Sequence, residues 1–332
     1  MNFNLNLSDF SSINQIKNKT KPIKENTVYD VIIIGGGPSA LTAAVYCLRK
    51  GVKTALVAKD IGGQVKETSV VENYLGYTYI EGITLVQKFK DQIEQFDLDM
   101  ALNVNVEKVE NKNIKKLYCN DGRIYLAKAI IIATGKHPKT LNVPGEKELT
   151  GKGVAYCAIC DAPLFKDKEV VVVGGGNSAL EAAIDLAKLA KKVTLIQNLD
   201  KLTADKILID KLYQYKNVDI IYSSSVKKIN GSNKVESIEI FNLNNNQYNI
   251  INADGIFIEI GLVPNSKAFE GIVAMNQYKE ILIDCACKTS ADGIFAAGDV
   301  TTVPYKQIII AAGEGAKAAL SACDYILNKK EE

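Results

Sequence analysis

Tyr156–Pro163 reads YCAICDAP and holds the residues best suited to chemistry. Cys157 and Cys160 are separated by two residues, which puts their sulfurs within bonding reach where a helix begins. The positive end of a helix stabilises a thiolate, lowers its pKa and makes it a nucleophile near neutral pH. That is the equipment for thiol–disulfide exchange. Asp161 follows directly. The chain has one histidine, His137, so this carboxyl group is the natural donor and acceptor for the departing thiolate's proton. A zinc site would need two more ligands, and Cys285 with Cys287 would have to supply them. Their Cys-x-Cys spacing is poor for structural zinc, and ILIDCAC reads as a strand, so no metal is expected. An inert cysteine pair is disfavoured by the flanking acid. Cys47, Cys119, Cys323, Cys285 and Cys287 read as small apolar fillers, and His137, followed by proline, as a turn residue.

The elements that must position this pair come from an internal repeat. Val31–Val57, VIIIGGGPSALTAAVYCLRKGVKTALV, matches Val170–Ile196, VVVVGGGNSALEAAIDLAKLAKKVTLI, without a gap. Each copy is an apolar β-branched run, a glycine turn, an Ala/Leu-rich helix and a second apolar run. That describes a β-α-β unit whose strands are buried on both faces. In G-x-G-x-x-A the first glycine (Gly35, Gly174) makes the turn. The second (Gly37, Gly176) lets the backbone approach a pyrophosphate at the helix N-terminus, and the small third residue (Ala40, Ala179) brings helix and strand together. Two such turns imply two dinucleotides, one a held flavin and one a diffusing nicotinamide. Ile130–Lys136 (IIIATGK) reads as a strand entering a small turn, and Ile294–Val300 (IFAAGDV) as a strand ending at Gly298 and Asp299. Asp299 is placed to accept from a ribityl hydroxyl. Gly313–Leu320 (GEGAKAAL) reads as the start of a helix of small residues that completes the first domain.

The expected fold is therefore α/β: two Rossmann-like, three-layer dinucleotide-binding domains, the second inserted into the first. The expected parts are a tail at 1–27, a flavin domain at 28–140 and 264–332, and a nucleotide domain carrying the dithiol at 141–263. The 332 residues, 47% hydrophobic and 23% charged, suit two cores and exclude disordered and disulfide-framework classes. A formal net charge of +2, from 40 basic and 38 acidic residues, provides no broad basic field for nucleic acid or an anionic membrane. No run approaches the roughly 18 apolar residues a membrane span needs. The N-terminus lacks the apolar run of a signal peptide, so a cytoplasmic protein with a transient, working disulfide is expected.

The CAICD dithiol ahead of the second glycine turn, with GGQ at Gly62–Gln64 and VEN at Val71–Asn73, resembles the low-molecular-weight thioredoxin reductases. The segments KGVKTALVAKDIGGQV, GVAYCAICDAPLFKDKEVVVVGGGNSALEAAIDLA and FAAGDVTTVPYKQIIIAAGEGAKAALSA are closer still to the flavoprotein subunit of alkyl hydroperoxide reductase. The resemblance covers about residues 28–328. It implies FAD held by Gly35, Gly37, Ser39, Ala40, Gly63, Gln64, Asn73, Thr134, Gly135, Gly298, Asp299, Gln307 and Ile308. It implies a nicotinamide nucleotide on Gly174, Gly176, Asn177, Ser178, Ala179 and Gln197. Cys160 would face the flavin, Cys157 would attack the partner, and Asp161 would be the acid–base group. The resemblance further implies a nucleotide domain that swings against the flavin domain, and a homodimer.

Two departures refine this. The peroxide-reductase flavoprotein carries an N-terminal pair of thioredoxin-like folds where this sequence has Met1–Thr27. Electrons are thus expected to leave to a separate thioredoxin- or glutaredoxin-like protein. Phe3, Leu5 and Leu7 alternate and suit an added edge strand or a docking tail, although a mobile tail is the simpler expectation. NADPH-dependent thioredoxin reductases carry a basic motif after the second Rossmann strand. Here that stretch is Gln197-Asn198-Leu199-Asp200-Lys201, and no arginine follows Arg123. A 2′-phosphate prefers a guanidinium, so NADH is the expected donor, with the Gln197 carbonyl facing a ribose hydroxyl. Ferredoxin is the alternative donor that the resemblance leaves open. An NADH oxidase and a redox-sensing binding protein are the readings from other classes. In anaerobic titration NADH should bleach the flavin faster than NADPH or reduced ferredoxin; faster bleaching by either rival would reassign the donor.

Overall fold

Val28–Ile34 sends Val31 and Ile33 into one core and Ile32 and Ile34 into another, so this strand has no wet face. A strand of that kind needs cover on both sides, and the first sheet is built around it. The computed structural model describes residues 20–68 and 70–328, which form two compact units. The first takes the chain to Val65, Thr84–Lys136, and from Pro264 onward. The second takes Lys66–Ile83 and His137–Val263.

The first unit opens with strands Lys21–Pro22 (β1), Val28–Ile34 (β2), Thr54–Ala58 (β3), Asp99–Leu102 (β4), Val106–Glu110 (β5), Lys115–Cys119 (β6) and Ile124–Ile132 (β7). Helix Pro38–Arg49 (α1) follows β2, and Gly82–Ile93 (α2) precedes β4. The second unit runs Val154–Ala155 (β8), Ala158–Asp161 (α3), Glu169–Val173 (β9), Asn177–Ala187 (α4), Lys192–Ile196 (β10), Lys206–Leu212 (α5) and Val218–Ile221 (β11). An antiparallel meander, Ser224–Asn230 (β12), Ser237–Asn242 (β13) and Gln247–Asn252 (β14), leads to Gly255–Ile258 (β15). The chain then returns to the first unit for Ile294–Ala296 (β16) and Ile308–Asn328 (α6).

The first sheet has the order β1-β4-β3-β2-β7-β6-β5, with β16 also paired to β7. Its pairs are parallel except those of β5, β6 and β7 with one another. The second sheet, β8-β15-β9-β10-β11, is parallel throughout. Val170, Val172 and Phe257 pack against Ala179, Leu180 and Ala183 of α4, while Val171, Val173, Ile256 and Ile258 pack against Val226, Ile238 and Ile240 of the meander. The fold is the expected one: two Rossmann-like α/β units, the second lying within the sequence of the first.

Four local expectations are corrected. Residues 20–27 were expected in a tail, but β1 pairs with β4 and Ile23 is buried. The tail residues Phe3, Leu5 and Leu7 lie outside the described residues. ILIDCAC is not a strand: Asp284 Oδ1 accepts the N–H groups of Ala286 and Lys288, and its carbonyl accepts that of Cys287, whose φ is +63°. An aspartate at a turn's first position thus outweighs the apolar run. The last helix begins at Ile308, before GEGAKAAL, and His137 lies in a short extended segment, Lys136–Pro138.

Helix α6 crosses α1 at Gly315, where a Cβ would sit 2.1 Å from the Ser39 carbonyl oxygen. Gly315→Ala should force the helices apart and cost about 1–3 kcal/mol, read as a lowered unfolding midpoint. An unchanged midpoint would mean that the crossing tolerates a methyl group.

Candidate active site

The two glycine turns are built alike. Gly35 has φ +128°, and its Cβ would lie 2.2 Å from the Ala133 carbonyl oxygen just beyond β7. Gly174 has φ +134°, and its Cβ would lie 2.4 Å from the Glu259 carbonyl oxygen just beyond β15. Any side chain at either place would collide with backbone. Gly37 and Gly176 are the N-caps of α1 and α4; neither helix has a side-chain cap or an acid in its first turn. Both N-termini therefore present uncapped N–H groups and positive potential to an anion.

The first unit fits a flavin dinucleotide. Nothing lies within 4 Å of the Cβ position of Gly37, so the backbone there is open to close approach. Ser39 Oγ beside it is buried without a hydrogen-bond partner. Gly63 (φ +55°) lies 3.4 Å from the Gly37 Cα, and Gly298 (φ +75°) lies 3.0 Å from the Ser39 Cβ, each measured from its Cβ position. Ala40 is fully buried against the sheet. Beyond β7, the Thr134 hydroxyl donates to the Asn265 carbonyl at 2.7 Å and the Asn265 amide donates back to the Thr134 carbonyl at 2.8 Å, which fixes the turn at Gly135. Gln64 donates to the Lys136 carbonyl at 2.8 Å. Burial raises the Asp299 carboxyl, opposed by the charges of Lys306 and Lys136. Lys306 itself donates to the Thr301 carbonyl at 2.7 Å and lies 3.6 Å from Glu280, which also pairs with Lys136. Gln307 and Ile308 begin α6, where the Gln307 carbonyl accepts the Ala311 N–H. Asn73 lies on Lys66–Ile83, a segment of the other unit.

The second unit gathers the dithiol and the nucleotide turn at the carboxyl ends of one parallel sheet, where open α/β sheets bind ligands. Cys157 follows β8, Gly174 follows β9, Gln197 follows β10 and Glu259 follows β15. Ala179 is fully buried beneath α4, and Ser178 is exposed. The Asn177 side chain exchanges hydrogen bonds with Asp205, both at 2.8 Å. Gln197 is buried over Gly175: its carbonyl oxygen accepts the Asn198 N–H at 3.1 Å and its amide donates to the Lys201 carbonyl at 3.1 Å. It thus holds the loop where a ribose-binding acid would stand.

Cys157 and Cys160 form a disulfide with Cα atoms 5.4 Å apart. Cys157 is the N-cap of α3, and Ala158 and Ala162 anchor the helix in the core beside α4. Asp161 is buried, its Oδ1 has no hydrogen-bond partner, and burial pushes its pKa up to about 6. A carboxyl group in that state exchanges protons close to neutral pH. Three of the other thiols are held back, whereas the contact with Cys47 lowers Cys323. Burial pushes Cys119 and Cys287 up to about 12, Cys287 also through its contact with Glu314 at 3.1 Å. Cys47 is raised by its contact with Cys323 and by burial. Cys285 is exposed. Among the described residues no cluster of His, Cys, Asp or Glu suits a metal ion.

Glu259 was missed by the sequence reading. Burial pushes its pKa up to about 7. The available signal was its place in the repeat: GIFIEIG of the second copy aligns with AIIIATG of the first, with glutamate at the alanine position.

Two dinucleotide units, one carrying a partly buried redox disulfide, define a flavin-dependent disulfide reductase of the thioredoxin-reductase-like class. The chain belongs to the pyridine nucleotide-disulphide oxidoreductase family, whose profile matches residues 29–315. It is 42% identical over 319 residues to an alkyl hydroperoxide reductase subunit of Escherichia coli, covering 95% of this chain and 61% of that protein. It is 40% identical over 299 residues to an NADH dehydrogenase of Bacillus subtilis, covering 90% and 59%. The chain therefore spans about three-fifths of the length of these curated relatives. Its structure is similar to thioredoxin reductase from Streptococcus pyogenes, with a TM-score of 0.86, 38% identity, and 92% and 100% of the two chains covered. For thioredoxin reductase from Giardia duodenalis the values are 0.84, 35%, 91% and 100%. Among the described residues no helix is long and apolar enough to cross a membrane.

Because Asp161 binds its proton more tightly when folded, stability falls as pH rises from the ordinary value of 3.8 to about 6 and is level above that. Asp161→Asn removes the buried charge. Its stability advantage over the native protein should be least below about pH 4 and should plateau above about pH 6, read by denaturant titration. A difference that does not vary across this window would show that Asp161 keeps an ordinary pKa.

Proposed function

We propose that the protein passes electrons from NADH through FAD and the Cys157–Cys160 disulfide to a separate thioredoxin- or glutaredoxin-like protein. The observation that carries this reading is the disulfide at the carboxyl end of the sheet that also bears the Gly174–Ala179 turn, next to a buried carboxyl with an unpaired oxygen. The flavin supplies two-electron exchange between the nicotinamide and the disulfide. Gly35, Gly37, Ser39, Gly298 and Asp299 would hold it, and Gly174, Gly176 and Ala179 would hold the nicotinamide nucleotide. Two electrons and a proton open the Cys157–Cys160 bond. The Cys157 thiolate attacks one sulfur of the partner's disulfide, and the partner's other sulfur leaves as a thiolate. Cys160 thiolate then attacks Cys157, re-forming the internal bond and releasing the partner as a dithiol. Asp161 supplies and recovers the proton that each leaving thiolate needs.

The absence of arginine after Arg123 supports NADH over NADPH, as does the name of the Bacillus relative. The family resemblance supports association as a homodimer, and the cysteine usage supports a cytoplasmic location. Ferredoxin remains the alternative donor, disfavoured by the intact nucleotide turn.

Cys157→Ser and Cys160→Ser should each lower NADH-dependent reduction of a thioredoxin-fold disulfide by at least about a thousandfold. Cys160→Ser should trap that protein as a mixed disulfide and Cys157→Ser should not. The reverse trapping pattern would exchange the roles of the two sulfurs. Full NADH turnover without either cysteine would favour direct transfer to oxygen.

A further inference from the structure

Cys157 sits just past the end of a strand ladder. Strand β8 pairs with β15 only through Val154 and Ala155, so Tyr156 and Cys157 lie beyond that register. On the far side of Cys157, α3 begins at Ala158, which is buried in the core beside α4. On the near side stands Tyr156, whose ring packs against the opposite core, the one shared with the meander. Its hydroxyl donates to Glu146 Oε1 at 2.9 Å. Cys157 is thus held between anchors in two different cores.

Glu146 is a well-seated anchor. It is buried, and a carboxylate taken out of water must be hydrogen-bonded. Besides Tyr156, Oε1 accepts the Leu141 N–H at 2.9 Å, and Oε2 accepts those of Asn142 at 2.7 Å and Val143 at 3.4 Å. These successive amides, with Asn142 at φ +56°, form an anion-binding concavity around the carboxylate. The concavity is itself clamped to the meander. The Ile229 N–H of β12 donates to the Pro144 carbonyl at 3.0 Å, and a Cβ at Gly145 (φ +87°) would lie 1.9 Å from the Ile229 carbonyl oxygen. The Thr150 hydroxyl donates to the Glu146 carbonyl at 2.8 Å. The amides account for the burial of the acid. Among the described residues the side-chain donor that its carboxylate holds is Tyr156, the residue next to Cys157.

We propose that Glu146 is a positioning residue for the redox pair: through the Tyr156 hydroxyl it fixes the backbone entering Cys157, so that in the dithiol state the Cys157 sulfur stays within reach of Cys160. The proposal rests on the reading of Cys157–Cys160 as the redox couple. Disulfide closure is intramolecular, and its equilibrium constant scales with the effective concentration of one sulfur at the other. With the tether in place, little freedom is lost when the bond forms. Without it, the backbone before Cys157 samples more positions and the disulfide is favoured less.

The test is anaerobic equilibration of the flavin-loaded full chain with dithiothreitol redox buffers. The Cys157–Cys160 bond takes two electrons and two protons from reduced dithiothreitol, which closes to its own disulfide. The oxidised fraction is read by acid quenching, alkylation and peptide mass spectrometry, with flavin absorbance followed in the same samples. Tyr156→Phe keeps the ring and removes only the hydroxyl. It should lower the constant for disulfide formation severalfold and leave the bleaching midpoint of the flavin at the native value. Glu146→Gln should lower the constant too, and the double variant should lose less than the product of the two single losses, because both act through one bond. A purely structural role would lower the unfolding midpoint of Tyr156→Phe and leave its constant where it is. That result, a raised constant, or losses that multiply in the double variant would overturn the proposal. Tyr156→Phe alone decides if Glu146→Gln does not fold. The equilibrium needs no turnover, so NADH-dependent activity of Cys157→Ser judges the redox couple separately.

Discussion

Both nucleotide turns rest on the same steric constraint: a strand's last backbone carbonyl must touch the glycine that starts the neighbouring turn. Ala133 meets Gly35 in this way and Glu259 meets Gly174. The contact is possible only without a Cβ, and it fixes the height at which each helix N-terminus meets the end of its sheet. Everything that binds or reacts is placed relative to that height. Parallel strands point all their carboxyl ends the same way, so the disulfide after β8 and the turn after β9 share an edge.

The chemistry depends on a second physical fact, the uneven wetness of the fold. Asp161 is kept dry enough that its carboxyl titrates near 6, whereas lysine–carboxylate pairs at the surface, such as Lys191 with Glu169, stay in water and contribute little. The disulfide itself is only partly buried, which leaves it open to the partner proposed above. At the same edge, burial also pushes the Glu259 carboxyl up, to about 7.

The sequence exposes the parts of this design that repeat or alternate. The duplicated G-x-G-x-x-A turns, the Cys-x-x-Cys spacing and the continuous apolar strands all specify local geometry directly, and the two Rossmann-like units follow from them. The meander β12–β14 was not legible: Asn242–Asn249 carries no clean apolar alternation, and one edge strand is largely exposed. ILIDCAC misled because an apolar run and a turn-forming aspartate compete, and the hydrogen bonds of Asp284 win. Glu259 was hidden because a single acid after an apolar strand has no pattern of its own. Its meaning comes from pairing β15 with two strands distant in sequence, β8 and β9. The Gln197 contacts were equally invisible, since its partners lie within its own loop.

Three of the five remaining cysteines carry a consequence for selectivity. A cell's electrophiles and oxidants attack thiolates, and the interior of this fold denies Cys47, Cys119 and Cys287 that form. Sulfur is thereby used in two opposite ways within one chain: as a dense, inert filler where helices and strands meet, and as a current-carrying contact at one place. Oxidative insult should accordingly spare those three thiols and fall on the redox pair and on the exposed Cys285.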